Sequence, residues 1–108
     1  MKVLFDQNVP AKVRQSLQDH IVKTAADMAW STLKNGDLLT AAESAGFEVL
    51  LTCDQSIRYQ QNLKDRTIAI VLIDTNDWKV VRRHVSLIER TIASATQGEF
   101  LSLEIART

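Results

Sequence analysis

Apolar positions fall into short dense runs separated by polar stretches that repeat at helical spacing. Residues 2–5 form the first run and predict a buried strand that ends at Asp6. Pro10 suits the first turn of a helix, where its missing N–H would have no intrahelical partner. Val13 and Leu17 carry that helix to about residue 19. "IVKTA" (21–25) predicts a second strand. Asn35-Gly36 marks a turn before "DLLTAAESAG", where Leu38, Leu39, Ala42 and Ala45 share one face and Gly46 supplies a stop. "FEVLLT" (47–52) reads as a strand, and residues 55–64 as a weak polar helix. "TIAIVLI" (67–73) has the density of a central strand buried on both faces. Val81, Val85, Ile88, Ile92 and Ala95 then step by fours and threes, predicting one long helix capped by Asp77 and closed by Gly98. "EFLSLEI" (99–105) alternates as an edge strand does.

Strands alternating with helices predict an α/β fold: a mostly parallel five-stranded sheet between helical layers. The 108 residues allow one domain, spanning 1–108. In such sheets functional groups collect at the carboxyl ends of strands. Asp6 and Asp54 both sit just past such ends, and Asp37 lies in the first turn of the second helix, expected at the same edge. Three carboxylates brought together repel unless a cation joins them. Mg²⁺ or Mn²⁺, with oxygen ligands and retained waters, would activate water for attack on a phosphodiester. Each acid also has a structural explanation: Asp37 complements a helix dipole, Asp54 caps residues 55–64, and Asp6 caps or closes a loop. Glu43, Asp27, Asp74 and Asp77 are further candidate ligands, each readable as a solvated charge or cap.

Charge and composition narrow the rest. Lys plus Arg equal Asp plus Glu at 13 each, which argues against a general basic coat but allows a local basic groove. Arg58, Lys64 and Arg66 are candidate phosphate contacts, and Tyr59, Gln60, Gln61 and Asn62 candidate contacts to single-stranded RNA, with stacking by Tyr59. A solvated polar helix, with Tyr59 packed back on the sheet, is the structural alternative. His20 and His84 stand too far apart in the chain to suggest a cluster, and the lone Cys53 reads as packing. No apolar run approaches the ~18 residues of a membrane span, and the N-terminus lacks a signal-peptide core, so the expected location is the cytoplasm.

Three segments give the chain a resemblance. "LFDQNVP" is similar to an opening Asp-x-Asn pattern; in "NGDLLTAAESAGFEVLLTCDQS" an Asp begins a Leu/Ala helix and a strand then ends in Thr-x-Asp; "YQQNL" (59–63), Trp30 and Asn35-Gly36 are similar to a local signature. In this order they resemble the PIN domain of VapC-type toxin ribonucleases, and more closely a compact PIN-like family found beside small antitoxin-like partners. The resemblance implies a small PIN-like three-layer sandwich. It implies Mg²⁺- or Mn²⁺-dependent RNA cleavage, with Asp6, Asp37 and Asp54 as catalytic metal-binding acids and Asn8 and Asn35 in support. It further implies an antitoxin protein as partner and leaves a homodimer open. Two departures stand out. The usual further acid has only Asp27 as a substitute, and Gln7 stands where the compact family often has Glu. Two other functions remain: a catalytically inactive PIN-like binding module, and a receiver-like phosphoacceptor using Asp54. The receiver expects paired acids after the first strand and a Lys after the last, and the sequence has neither.

Overall fold

The computed structural model describes residues 1–60 and 63–106. Five strands form one sheet: β1 (Lys2–Phe5), β2 (Ile21–Thr24), β3 (Val49–Thr52), β4 (Ala69–Ile73) and β5 (Phe100–Leu103), in the order β2-β1-β3-β4-β5. Every pairing is parallel, so the expected sheet holds and is wholly parallel. The α-helices are α1 (Asn35–Ser44), α2 (Trp78–Val81) and α3 (Val85–Ser94).

Period-two alternation in the strands sorts the core into two layers. Leu4, Leu50, Ile70 and Leu72 pack with Leu38, Leu39 and Ala42 of α1. Val3, Phe5, Val49, Leu51, Val71 and Ile73 pack on the other face with Val13, Leu17, Val81, Ile88 and Ile92. The register keeps these rows aligned: Leu4 pairs Leu50, Leu50 pairs Ile70, Phe5 pairs Leu51 and Leu51 pairs Val71. Each fully buried Leu, Ile or Phe contributes about 1.5–3 kcal/mol against exposure. β1, β3 and β4 are apolar on both faces and occupy the centre, whereas β2 and β5 are half-solvated edges.

The helices depart from expectation where local chemistry is weak. Residues Ala11–Ser16 form a 3-10 helix rather than a full α-helix, burying only Val13. Gln55–Tyr59 and Leu63–Asp65 are likewise short 3-10 segments. The long helix after Asp77 is broken between α2 and α3, although its apolar stripe still buries Val81, Ile88 and Ile92. Asp77 caps α2 as expected, accepting from the Lys79 N–H at 3.0 Å. Gly46 follows α1 with φ +83°, the left-handed conformation that ends helices. Gly98 has φ +78°, and a Cβ there would lie 3.0 Å from the Arg66 carbonyl oxygen.

The β1–β2 and β4–β5 connections both cross the face that carries Val13, Ile88 and Ile92. They step in opposite directions along the sheet. Connections on one face that move in opposite directions have opposite hands, so one of them departs from the right-handed rule.

A half-buried polar cluster ties α1 to the segment that leads into β4. Glu43 accepts from Arg66 at 2.8 Å and from the Thr67 hydroxyl at 2.9 Å. Burial opposes its charge, but the bonds from Arg66, Thr67 and Ile68 outweigh that and hold the carboxyl below its ordinary 4.5. A depressed carboxyl stabilises the fold fully above 4.5 and loses that contribution as pH falls through its folded value. Urea unfolding followed from pH 7 to pH 3 should therefore show Glu43→Gln less stable than wild type at neutral pH, with a shallower acid slope. Parallel curves for the two proteins would contradict this.

Candidate functional site at the β1–β3 edge

The same alternation that builds the core also aims the site residues. Asp6 continues the parity of Leu4; Thr52 and Asp54 continue that of Leu50. All three are therefore on the α1 side at the carboxyl end of the sheet. The Asp6 N–H donates to the Leu51 carbonyl at 2.9 Å, carrying the β1–β3 ladder one step past the strand. A turn then closes between the Val9 N–H and the Asp6 carbonyl. It folds Asn8 back so that its Oδ1 accepts from the Cys53 N–H at 3.1 Å.

Thr52 links the two acids. It is wholly buried, and its hydroxyl donates to Asp6 Oδ2 at 2.8 Å while accepting from the Asp54 N–H at 3.1 Å. The other oxygen of Asp6 accepts from the Gln7 N–H at 2.8 Å. Asp54 also caps the 3-10 segment after it: Oδ1 accepts from the Ser56 N–H at 2.9 Å and from its hydroxyl at 2.7 Å. The expected capping role of Asp54 is thus real and leaves the residue at the rim.

A cavity of about 290 Å³ opens here, lined by Asp6, Gln7, Asn8, Leu33, Lys34, Asn35, Leu38 and Asp54. Asn35 enters α1 with φ +32°, a conformation that Asn tolerates better than most residues. Its amide donates to the Ser56 hydroxyl at 3.2 Å, joining the start of α1 to the segment after β3. β1 and β3 are neighbours at the point where the strand order reverses, which is where open parallel sheets bind ligands.

Asp6, Asp54, Asn8 and Asn35 are brought together. Asp37 is not among the cavity's lining residues; it stands exposed on the first turn of α1, beside Leu38, which is. Among the described residues no three His, Cys, Asp or Glu side chains form a group able to hold an ion. The shared donor set is two carboxylates with amide oxygens, and Mg²⁺ commonly takes one or two carboxylates plus waters. In kind and number these donors fit a hard divalent cation. Burial, then Asp6 and Asp74, push the Cys53 thiol up to about 12, and its Sγ donates to the Thr75 carbonyl at 3.5 Å.

The other candidates have different placements. Asp27 is engaged beyond β2, 2.9 Å from Arg14 and bonded to Thr24, and those bonds hold its carboxyl low. Asp74 accepts from the Ile105 and Ala106 N–H groups. Arg66 spends its guanidinium on Thr40, Glu43 and the Gly36 carbonyl. Arg58 lies 6.0 Å over the Phe100 ring and donates to Gln55 and Ser102. Tyr59 is 82% exposed, so its ring does not pack back on the sheet. Gln60 sits against the first turn of α1 at Gly36. Gln61 and Asn62 lie outside the described residues. Trp30 packs edge-on to Phe47 with centroids 6.0 Å apart, a core role. The sequence pointed to Thr52 only through the Thr-x-Asp ending of its strand and gave it no role of its own; its parity with Leu50 and Asp54 was the further signal. Lys34 and Leu33 had no signal beyond adjacency to the turn.

No protein-family model, curated protein or solved structure matches the chain.

Removing the Thr52 hydroxyl leaves one Asp6 oxygen and the Asp54 N–H without that partner. Thr52→Val is expected to cost about 1–3 kcal/mol of unfolding free energy by urea denaturation, with Thr52→Ser restoring most of it. Equal stability of the Val variant and wild type would mean that the hydroxyl contributes nothing to the fold.

Proposed function

We propose that this chain is a compact PIN-like ribonuclease that hydrolyses single-stranded RNA with Mg²⁺ or Mn²⁺, acting as the toxin of a toxin–antitoxin pair. The observation that carries the reading is the joining of Asp6 and Asp54 through Thr52 on a cavity at the β1–β3 reversal point. Asp6 and Asp54 would hold the cation, with Asn8 and Asn35 fixing the loops beside them. When bound, such an ion supplies an activated water and neutralises charge on the phosphodiester. The chain's own contribution is positional. Thr52 orients Asp6, and Ser56 orients Asp54, so neither carboxylate has to be immobilised when substrate arrives. Asp37, exposed on the adjacent turn and outside the cavity lining, is not among the residues proposed to hold the ion.

A second reading, a PIN-like module that binds RNA or a partner without cleaving, is favoured by the absence of Asp37 from the cavity lining. The receiver reading has less support. In a doubly wound receiver every crossover is right-handed, which would put the β4–β5 helix on the α1 face; α2 and α3 pack on the opposite one. After β5 come Glu104, Ile105 and Ala106, with no Lys where a phosphoacceptor site needs one.

Purified protein with a labelled single-stranded RNA and Mn²⁺ should yield fragments. Asp6→Asn and Asp54→Asn should each lower the rate by at least about a hundredfold, the loss expected when a group that positions the reaction is removed. No cleavage by wild type with any of Mg²⁺, Mn²⁺ or Co²⁺, alongside retained RNA binding, would establish the binding module instead.

A further inference from the structure

The cavity carries more than the two acids, and its remaining walls point to what occupies it. Among the described residues that line it, Lys34 is the only cation. Leu33 supplies apolar surface, backed by Leu38, which is 2% exposed. Gln7, exposed at the lip, offers an amide that both donates and accepts. Anionic, cationic, apolar and amide groups thus meet in one small space. Its volume of about 290 Å³ is at the lower bound of ligand pockets, ~300 Å³. That suits one small amphiphilic unit rather than a length of polymer. Two other candidate cations, Arg66 and Arg58, are committed elsewhere: Arg66 to Glu43 and Thr40, Arg58 to Gln55 and Ser102.

We propose that this cavity receives one nucleotide of the substrate strand, with Lys34 pairing its phosphate, Leu33, backed by the buried Leu38, packing its base, and Gln7 bonding the base edge. This rests on the ribonuclease reading and names the subsite it uses. A nucleotide has the required parts: an anionic phosphate for the ammonium, an apolar base face for the leucines, and a hydrogen-bonding edge for the amide. A base turned out of a single strand presents all three together. Lys34 is here a positioning residue, since it fixes where the phosphate lies relative to Asp6 and Asp54. A glutamine at position 7, rather than a carboxylate, fits this role, because an anionic lip would repel the phosphate.

Two measurements test this and separate it from the parent reading. In the first, ¹⁵N-labelled full-length protein is titrated with the four 5′-nucleoside monophosphates and with a short oligoribonucleotide, with and without Mg²⁺. Amide shifts are expected at residues 7, 8, 33–35 and 38. Lys34→Gln should weaken binding about tenfold, as expected for one charge-assisted bond, while Arg90→Gln on α3, across the sheet from the cavity, should behave as wild type. In the second, cleavage kinetics of Lys34→Gln should show a raised KM with little change in kcat. Binding that depends on Lys34 without any cleavage would keep the subsite and remove the ribonuclease. Cleavage with an unchanged KM in Lys34→Gln, or shifts absent from these residues with and without Mg²⁺, would overturn the subsite and leave the ribonuclease standing.

Discussion

The register between β1 and β3 is the constraint on which everything at this site depends. Val3 pairs Val49, Leu4 pairs Leu50 and Phe5 pairs Leu51. Side chains alternate with a period of two, so a slip of one residue would turn every inward group of one strand to the opposite layer. The core resists such a slip, because both faces of both strands are buried against different helices. The same resistance fixes Asp6 opposite Thr52, since each is one more step along a strand whose register is already set. Packing free energy from leucines and valines is thus what brings Asp6 and Asp54 to one cavity.

That arrangement is costly in itself. Two acids on one rim repel, and among the described residues no Lys or Arg donates a hydrogen bond to either carboxylate. What stabilises them is a set of neutral donors: the Thr52 hydroxyl, the Gln7 and Ser56 N–H groups, and the Ser56 hydroxyl. Neutral donors orient a carboxylate without cancelling its charge. An arginine in the same place would have neutralised the site. Glu43 shows the contrast within the same molecule: it faces Arg66 directly, and its role is to join α1 to the segment that leads into β4.

The layered α/β plan was legible because the central strands are apolar on both faces and the helices carry one-sided stripes. "TIAIVLI" and the Val81–Ile92 stripe needed no tertiary information. Helix type was less legible. Residues 11–16 bury a single side chain, and 55–59 bury only Ile57, so neither has enough apolar surface to favour a regular α-helix over a 3-10 turn. The break after Val81 keeps the stripe in phase on both sides, so periodicity alone does not reveal it. At the site, Asp6 and Asp54 were legible as strand-end acids. The position of Asp37 was not, because it depends on which side of the first α1 turn faces the cavity. Asn35, Leu38 and the tie to Ser56 settle that rotation, and they belong to tertiary structure.

The unusual connection hand has a consequence for this edge. Because α2 and α3 pack on the far face, the α1 face over β4 and β5 is covered by α1 itself and the short 3-10 segments. Phe100 is left partly buried there, with the Arg58 guanidinium over its ring. The wall between the cavity and solvent is therefore thin: Asn35 bonds Ser56 across it, Gln60 touches the first turn of α1, and Tyr59 projects outward. A regular helix over β4 and β5 on this face would have enclosed that wall and separated Tyr59 from the cavity. With the helix elsewhere, the 3-10 segment after β3 stays at the surface beside the start of α1, anchored by Ile57 and leaving the Tyr59 ring exposed.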